Sequence, residues 1–187
     1  MDELITVINS FQKLDTTTEE AIRKFFVIEK FKKNEFIIEE GKVCRKIYFI
    51  KSGAIRRFCF ENDNEVTKWI YTDGQFVTSM SSYFQEKPSF EIFQACEETT
   101  VYSLSYSDEQ SLLEYPLFLK FHLNQLRYYL SQINEFHHLF RVMNAEKKYL
   151  FLLESFPQII QKGKLMHIAS LIGVSQETLS RIRASII

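Results

Sequence analysis

The chain has 187 residues, of which 45% are hydrophobic and 25% charged, enough for one domain with a small addition and a buried core. With 18 Phe and 9 Tyr but only 5 Gly and 3 Pro, it is neither disordered nor collagen-like, and it lacks a glycine-rich phosphate loop. The net charge of -1 argues against a uniformly basic nucleic-acid binder, although the segment 157–187 is itself basic, with four Lys or Arg and one Glu.

The N-terminus suggests neither a signal peptide nor a membrane span. Acidic residues begin at Asp2, and no apolar run reaches the length that crosses a bilayer. We therefore expect a cytoplasmic protein. The three cysteines, Cys44, Cys59 and Cys96, are widely spaced and form no C-x-x-C pair, so we expect buried small side chains rather than zinc ligands or disulfides.

The first elements in chain order are two short helices followed by strands. Leu4, Ile8 and Phe11 recur at helical spacing, and Thr17 with Glu20 predicts a capping box for the second helix. Between residues 35 and 105, short runs rich in Ile, Val, Phe, Tyr and Thr alternate with turn residues. This texture predicts an antiparallel barrel or sandwich.

After Pro116, apolar residues step by 4 and 3 along a long predicted helix, as in a heptad seam. Such a narrow stripe favours pairing with a second helix, so we predict a dimer seam. Packing of the stripe on the chain's own barrel is the alternative, and neighbouring aromatic residues allow both. The seam comprises Leu119, Leu123, Leu126, Leu130, Ile133, His137 and Phe140.

The last segment predicts two short helices around a turn. Ala169 permits a close helix crossing, Gly173 suits a left-handed turn, and Ser175 is a good N-cap for the second helix. This is the pattern of a helix-turn-helix, whose second helix enters the major groove of DNA. A capped helical hairpin with solvated polar residues is the alternative.

Side chains predicted to face outward on that second helix suit base recognition. Gln can pair with adenine, Glu can accept from cytosine, and Arg can bind guanine. Lys162, Lys164 and His167 lie nearby in sequence as further candidates for phosphate contacts. The predicted DNA-binding residues are Ser175, Gln176, Glu177, Thr178, Ser180, Arg181 and Arg183.

The whole chain, from about residue 20, resembles the Crp/Fnr family of bacterial transcription regulators. The resemblance rests on KKNEFIIEEG, YFIKSGAIR, the turn Asp73-Gly74-Gln75-Phe76 and above all IASLIGVSQETLSRIR. It implies an α+β fold: an antiparallel β-roll (a jelly-roll-like double-stranded β-helix), a dimerisation helix and a small all-α helix-turn-helix domain. The implied boundaries are 1–115 for a cyclic-nucleotide-binding-like domain, 116–142 for the helix and 143–187 for the DNA-binding domain.

Ligand-binding members of that family carry a cassette whose Glu grips the ribose and whose Arg binds the cyclic phosphate. Here the matching positions are Ser79 and Ser89. Because the charged phosphate would lack its bidentate partner, we do not expect cyclic AMP as the ligand. The hydroxyls that remain suit a neutral or weakly polar effector. The alternative, which the sequence supports equally well, is that the short helix fills the pocket and no ligand binds. The predicted pocket residues are Thr78, Ser79, Met80, Ser81, Ser82 and Ser89.

No cofactor and no metal are expected. An iron–sulfur sensor needs four cysteine ligands, and the barrel region lacks the histidines that cupin-type metal enzymes require, because the first is His122. We therefore expect a non-enzymatic, homodimeric DNA-binding regulator with DNA, a second copy and an unidentified effector as partners, and no membrane. The alternative is a dimeric ligand- or protein-interaction module that no longer binds DNA.

Overall fold

The computed structural model describes residues 1–186, beginning with two amphipathic helices. These are α1 (Asp2–Phe11) and α2 (Thr16–Phe25). The predicted capping box is wrong: Asp15, not Thr17, caps α2, and its Oδ1 accepts from the Thr18 amide at 2.8 Å. Asp accepts the free amides of a helix start as well as Thr does, and its position is decided by where the preceding chain turns.

Two four-stranded antiparallel sheets form a roll, in the orders β1-β8-β3-β6 and β2-β7-β4-β5. Side chains that alternate inward from both sheets, such as Ile50, Ile55 and Phe93, form its interior. The short helix α3 (Met80–Gln85) lies between β6 and β7. The strands are β1 (Val27–Phe31), β2 (Phe36–Ile38), β3 (Lys46–Ser52), β4 (Ala54–Glu61), β5 (Asn64–Thr72), β6 (Phe76–Val77), β7 (Ile92–Ala95) and β8 (Thr99–Ser105). All three cysteines are buried and unpaired, as expected.

A long helix follows the roll. After α4 (Tyr106–Leu113), Pro116 starts α5 (Pro116–Val142), where a proline costs no helical hydrogen bond. The first turns of α5 bury Phe118 and Phe121 in a cluster with α1, α2 and the roll. The outward surface of α5 therefore stays uncovered within this chain.

Four short helices complete the described residues: α6 (Ala145–Ser155), α7 (Pro157–Lys162), α8 (Leu165–Ile172) and α9 (Gln176–Ile186). They pack on the outside of the β4–β5 sheet, where Ile70 lies in one cluster with Ile159 and Ile168. Gly163 permits this approach, because a Cβ there would come within 2.9 Å of Ile70 Cδ1. The mixed α+β fold with antiparallel sheets, a long helix and terminal helices agrees with the sequence prediction.

The segment 143–187 ends one residue beyond the described part, so Ile187 lies outside it. Between Ser105 and Ile186 the structure contains helices and turns but no strand, so no β-hairpin precedes α8. Over residues 1–186, none of the helices combines the length and the apolar character needed to cross a membrane.

Candidate functional site

The turn between α8 and α9 is built around Gly173. Its φ of +82° lies in the left-handed region, which a side chain would strain. The amides of Gly173 and Val174 both donate to the Ala169 carbonyl oxygen at 3.0 Å, which satisfies the end of α8. The turn thus sets a fixed angle between the two helices.

Helix α9 is capped by Ser175 and anchored by its apolar side. The Thr178 amide donates to Ser175 Oγ at 3.2 Å, the N-cap bond that the sequence predicts. Leu179 is fully buried and Ile182 partly buried against the other terminal helices. One side of α9 is therefore fixed, and the other is free.

The free side carries the predicted base-reading residues. Gln176, Glu177 and Arg181 are exposed, as are Ser180 and Arg183, while Thr178 is half-buried. Hydrogen bonds from its own backbone amide and from the Ser175 side chain lower the pKa of Glu177 below its usual value, so this carboxylate is an ionised acceptor. Arg181 Nη2 donates to Thr178 Oγ1 at 3.4 Å. The structure therefore brings these predicted residues together on one exposed helix end.

Two of the nearby basic candidates, Lys162 and His167, are held against the roll, and the third also reaches it, because Lys164 Nζ donates to Asn34 Oδ1 at 3.4 Å. Lys162 Nζ bonds both carboxylate oxygens of Asp73, at 2.8 and 2.9 Å, and the Gly53 carbonyl oxygen at 3.1 Å. His167 is buried, and burial together with the cations Arg56 and Lys164 lowers its pKa to about 4. Both residues hold the terminal helices on the roll, which sequence spacing could not reveal.

The cassette between β6 and β7 is closed by its own hydroxyls. Ser79 and Ser89 are 0% and 2% exposed, and their Oγ atoms lie 2.9 Å apart in a mutual hydrogen bond. Ser89 Oγ also donates to the Glu91 carbonyl oxygen at 2.8 Å. Ser79 and Ser89, which stand where a cyclic nucleotide would need Glu and Arg, thus use their hydroxyls in hydrogen bonds within the protein.

The other predicted pocket residues also divide between structural and open positions. Ser82 Oγ accepts from the Cys44 amide at 2.8 Å and donates to the Lys87 carbonyl oxygen at 2.5 Å. Ser81 Oγ is buried and has no hydrogen-bond partner in residues 1–186. Of the six predicted residues, Thr78 and Met80 line the cavity described next, whereas Ser79, Ser82 and Ser89 bond to other groups of the protein.

That cavity, which we call the roll–helix cleft, has a volume of about 100 Å³ and lies between the roll and α5. Three residues of α5 give it polar character or shape: His122, Gln125 and Tyr129. The sequence alone places none of the three in an effector pocket, because they flank the heptad stripe, where Tyr129 only widens the apolar face; the available signal is the polar residues beside Phe121. The remaining lining is Ile47, Arg57, Tyr71, Phe76, Val77, Thr78, Met80, Phe84, Leu126 and Ile133.

A buried carboxylate lies between α3 and α5 beside the cleft. Tyr83 Oη donates to Glu109 Oε2 at 2.6 Å, and Glu109 Oε1 lies 3.5 Å from His122 Nδ1 without a hydrogen bond. Burial lowers the pKa of His122, and the nearby Glu109 opposes that shift. The cassette helix is therefore bonded to α4, whose carboxylate faces the long helix.

The predicted seam is largely exposed within the chain. Leu119, Leu123, Leu130 and Ile133 are 41%, 44%, 71% and 48% exposed, and His137 is also exposed. Three seam members make contacts of their own: Leu126 and Ile133 line the roll–helix cleft, and Phe140 stacks on Phe136 with ring centroids 4.1 Å apart. The aromatic residues beside the stripe, Phe118 and Phe121, pack in a cluster with the roll, so one face of α5 packs on the chain's own roll, and pairing of the exposed stripe with a second helix stays a prediction.

Comparisons with known proteins agree with this architecture. Residues 28–115 match the family model of the cyclic nucleotide-binding domain. No curated protein sequence matches the chain. Among solved structures, the c-di-GMP responsive global regulator CLP of Xanthomonas campestris is 17% identical with a TM-score of 0.69, covering 92% of this chain and 91% of that one.

Two other solved structures share the fold. FixK2 from Bradyrhizobium japonicum is 19% identical with a TM-score of 0.66, covering 86% of this chain and 84% of that one. The catabolite activator protein of Thermus thermophilus is 20% identical with a TM-score of 0.59, covering 94% and 85%. Residues 28–115 are therefore similar to the cyclic nucleotide-binding domain, and the chain shares the fold of these three solved structures.

Proposed function

We propose that the protein is a homodimeric, DNA-binding transcription regulator of the Crp/Fnr type whose effector is not cyclic AMP. The observation that carries the proposal is the exposed end of α9, where Gln176, Glu177 and Arg181 are exposed to solvent while Leu179 is fully buried. A helix held in this way by its apolar side, after a tight turn, is suited to enter the major groove as the second helix of a helix-turn-helix.

The chemistry of these side chains supports base recognition. The Gln176 amide suits adenine, the Glu177 carboxylate suits cytosine N4, and the Arg181 guanidinium suits guanine O6 and N7. Ser175, Thr178, Ser180 and the exposed Arg183 lie close enough in sequence to contact the flanking phosphates. The predicted basic contribution of Lys162 and His167 is removed from the proposal, because both contact the roll.

Pairing through α5 would complete the regulator. The exposed seam residues Leu119, Leu123 and Leu130 repeat at heptad spacing, and a second copy is the partner that a self-complementary stripe fits best. A two-fold dimer would present two α9 helices to the half-sites of a near-palindromic DNA sequence. Such a regulator would act in the cytoplasm and would have no enzymatic activity.

The effector side of the proposal rests on the closed cassette. With Ser79 and Ser89 bonded to each other, a cyclic phosphate would be buried without the bidentate cation that pairs its charge, which is costly. An effector, where one acts, would therefore differ from cyclic AMP.

An interaction module without DNA binding is the second candidate. One observation favours it: in residues 106–186 no strand follows the roll, so the described helices have no β-hairpin beside α8. Steep salt dependence of DNA binding separates the two candidates, since a dimer with about 6 to 10 phosphate contacts loses affinity by orders of magnitude as salt rises.

The experiment is selection of bound duplexes from a randomised pool, followed by fluorescence anisotropy on the selected sequence and on a scrambled one. We expect preference for the selected sequence and a loss of about 1 to 3 kcal/mol for Arg181→Ala, concentrated at one base position. Lys13→Ala, which removes an exposed charge from the connection between α1 and α2, is the control and should leave the preference intact. Equal affinity for selected and scrambled duplexes would overturn the proposal.

A further inference from the structure

The roll–helix cleft contains a buried amide with no partner. Gln125 is 8% exposed, and its Nε2 makes no hydrogen bond to any atom of residues 1–186. Buried polar groups in folded proteins are paired in the great majority of cases, and an exception calls for a specific reason. An occupant that accepts a hydrogen bond would supply it.

The guanidinium that lines the same cleft is already paired. Arg57 Nε lies 3.5 Å from Glu91 Oε1 in an ion pair. That carboxylate neutralises the guanidinium charge. The cleft therefore offers the Gln125 amide to an acceptor atom but no uncompensated positive charge to a carboxylate or phosphate.

The rest of the lining is mainly apolar and aromatic. Phe76 and Ile47 contribute from the roll, Phe84 and Met80 from α3, and Leu126 from α5. Burial holds the Tyr129 hydroxyl neutral, with its pKa raised to about 12, and His122 is also kept neutral by burial, which lowers its pKa. An apolar lining with a few convergent polar groups is typical of small-molecule sites.

The volume limits the size of the occupant. An apolar cavity of about 150 Å³ holds benzene, so the cleft of about 100 Å³ suits a molecule of about that size, with any excess extending toward solvent. A nucleotide is far larger. We propose that the roll–helix cleft binds a small, uncharged, mainly apolar molecule with a carbonyl-type acceptor, held by the unpaired amide of Gln125.

The position of the cleft gives such a ligand a mechanical consequence. It would lie between α3 and α5, next to the buried Glu109 carboxylate, and would touch Leu126 and Ile133 of the seam. Filling the cleft would favour one spacing of α5 from the roll over others, which is the differential binding that any effector needs. This part rests on the proposed function, since only a dimeric regulator would transmit the change to α9.

The test uses three matched probes and the full chain. The probes are cyclohexanone, methylenecyclohexane, which has the same shape without an acceptor oxygen, and cyclohexanecarboxylate, which is charged. Binding is followed by the side-chain amide signals of Gln125 in a proton–nitrogen correlation spectrum, assigned with Gln125→Met. We expect cyclohexanone to shift these signals with a dissociation constant on the order of 1 mM, and the other two probes to bind at least about tenfold more weakly.

Variants separate the donor from the shape of the site. Gln125→Met keeps an apolar side chain of similar length without the donor and should weaken cyclohexanone binding about tenfold, as read from the remaining cleft signals. Met80→Trp should fill the cleft from α3 and abolish binding of every probe. Gln132→Met, on an exposed part of the same helix, is the control and should bind as the wild type does.

Two results would overturn the inference: equal binding of cyclohexanone and methylenecyclohexane, or cyclohexanone binding that Met80→Trp leaves unchanged. Stronger binding of cyclohexanecarboxylate would also contradict it, because it would mean that Glu91 does not neutralise Arg57. The assay contains no DNA, whereas the DNA selection contains no probe. Failure of either proposal therefore shows independently of the other.

Discussion

Helices α3 and α9 each follow a serine, and the two serines have opposite roles. Ser175 caps α9 through the Thr178 amide, and the polar residues after it face outward. Ser79 precedes α3 without capping it and bonds to buried Ser89. The hydroxyls of Ser79 and Ser89 therefore bond within the protein, whereas the polar side chains at the start of α9 are exposed to solvent. A serine before a helix can therefore cap that helix or bond within the packed interior, depending on the residues that surround it.

The largest expected effect concerns the seam that would bring two α9 helices together. Leu130→Arg places a charge on a residue that is 71% exposed in the single chain, so the chain should still fold. In a dimer the substitution occurs twice at the interface, and we expect the dimer dissociation constant to rise at least about a hundredfold, or about 3 kcal/mol. Light scattering at micromolar concentrations measures it.

The control is Gln132→Arg, on the opposite side of the same helix by its 3.6-residue period. It should leave the molar mass at twice that of one chain. A wild-type protein that scatters as a monomer at these concentrations would contradict the seam and leave α9 reading one half-site at most.

A second effect tests how the terminal helices α6 to α9 are held on the roll. His167 faces Arg56 and Glu65 of the sheet and Lys164 of its own segment, and its pKa falls from 6.5 to about 4 on folding. Because the unfolded chain takes up a proton below pH 6.5 and the folded chain does not, acid favours unfolding. We expect the free energy of unfolding to fall by about 2 kcal/mol between pH 7 and pH 5 from this group.

Urea unfolding of the wild type, His167→Gln and His138→Gln at both pH values measures the effect. His138 is exposed on α5, so the free energy of unfolding of His138→Gln should fall on acidification as much as that of the wild type. For His167→Gln the fall between pH 7 and pH 5 should be smaller by about 2 kcal/mol. The same loss in all three proteins would mean that α8 does not bury His167 against the roll.

The smallest effect tests the closed cassette. Ser79→Ala leaves Ser89 with only its bonds to Glu91, and we expect it to cost about 1 kcal/mol of unfolding free energy. Ser89→Ala should cost more, and the double variant less than the sum, as a double-mutant cycle in urea would show. Ser81→Ala, which removes a buried hydroxyl without a partner, should be neutral or stabilising. Additive losses would mean that the two serines do not interact.

Local patterns were enough to predict much of this molecule. Heptad steps located α5, and the Gly173–Ser175 sequence located the turn before α9, because both depend on residues close in the chain. The roles of Lys162 and His167 were not predictable, since each depends on a part of the roll about 90 to 110 residues earlier. Gln125 was missed for the same reason: its environment is made by the roll. Sequence alone identified the loss of Glu and Arg from the cassette but not the hydrogen bond that replaced them.

The most direct test of the central claim measures both regions at once. The protein is titrated against the selected duplex and a scrambled one by fluorescence anisotropy, with and without 1 mM cyclic AMP (about the concentration that a millimolar site would sense). The account predicts preference for the selected duplex, unchanged by cyclic AMP and reduced by Arg181→Ala. A tenfold gain in affinity on adding cyclic AMP would contradict the closed cassette, and the absence of any preference would contradict the reading helix.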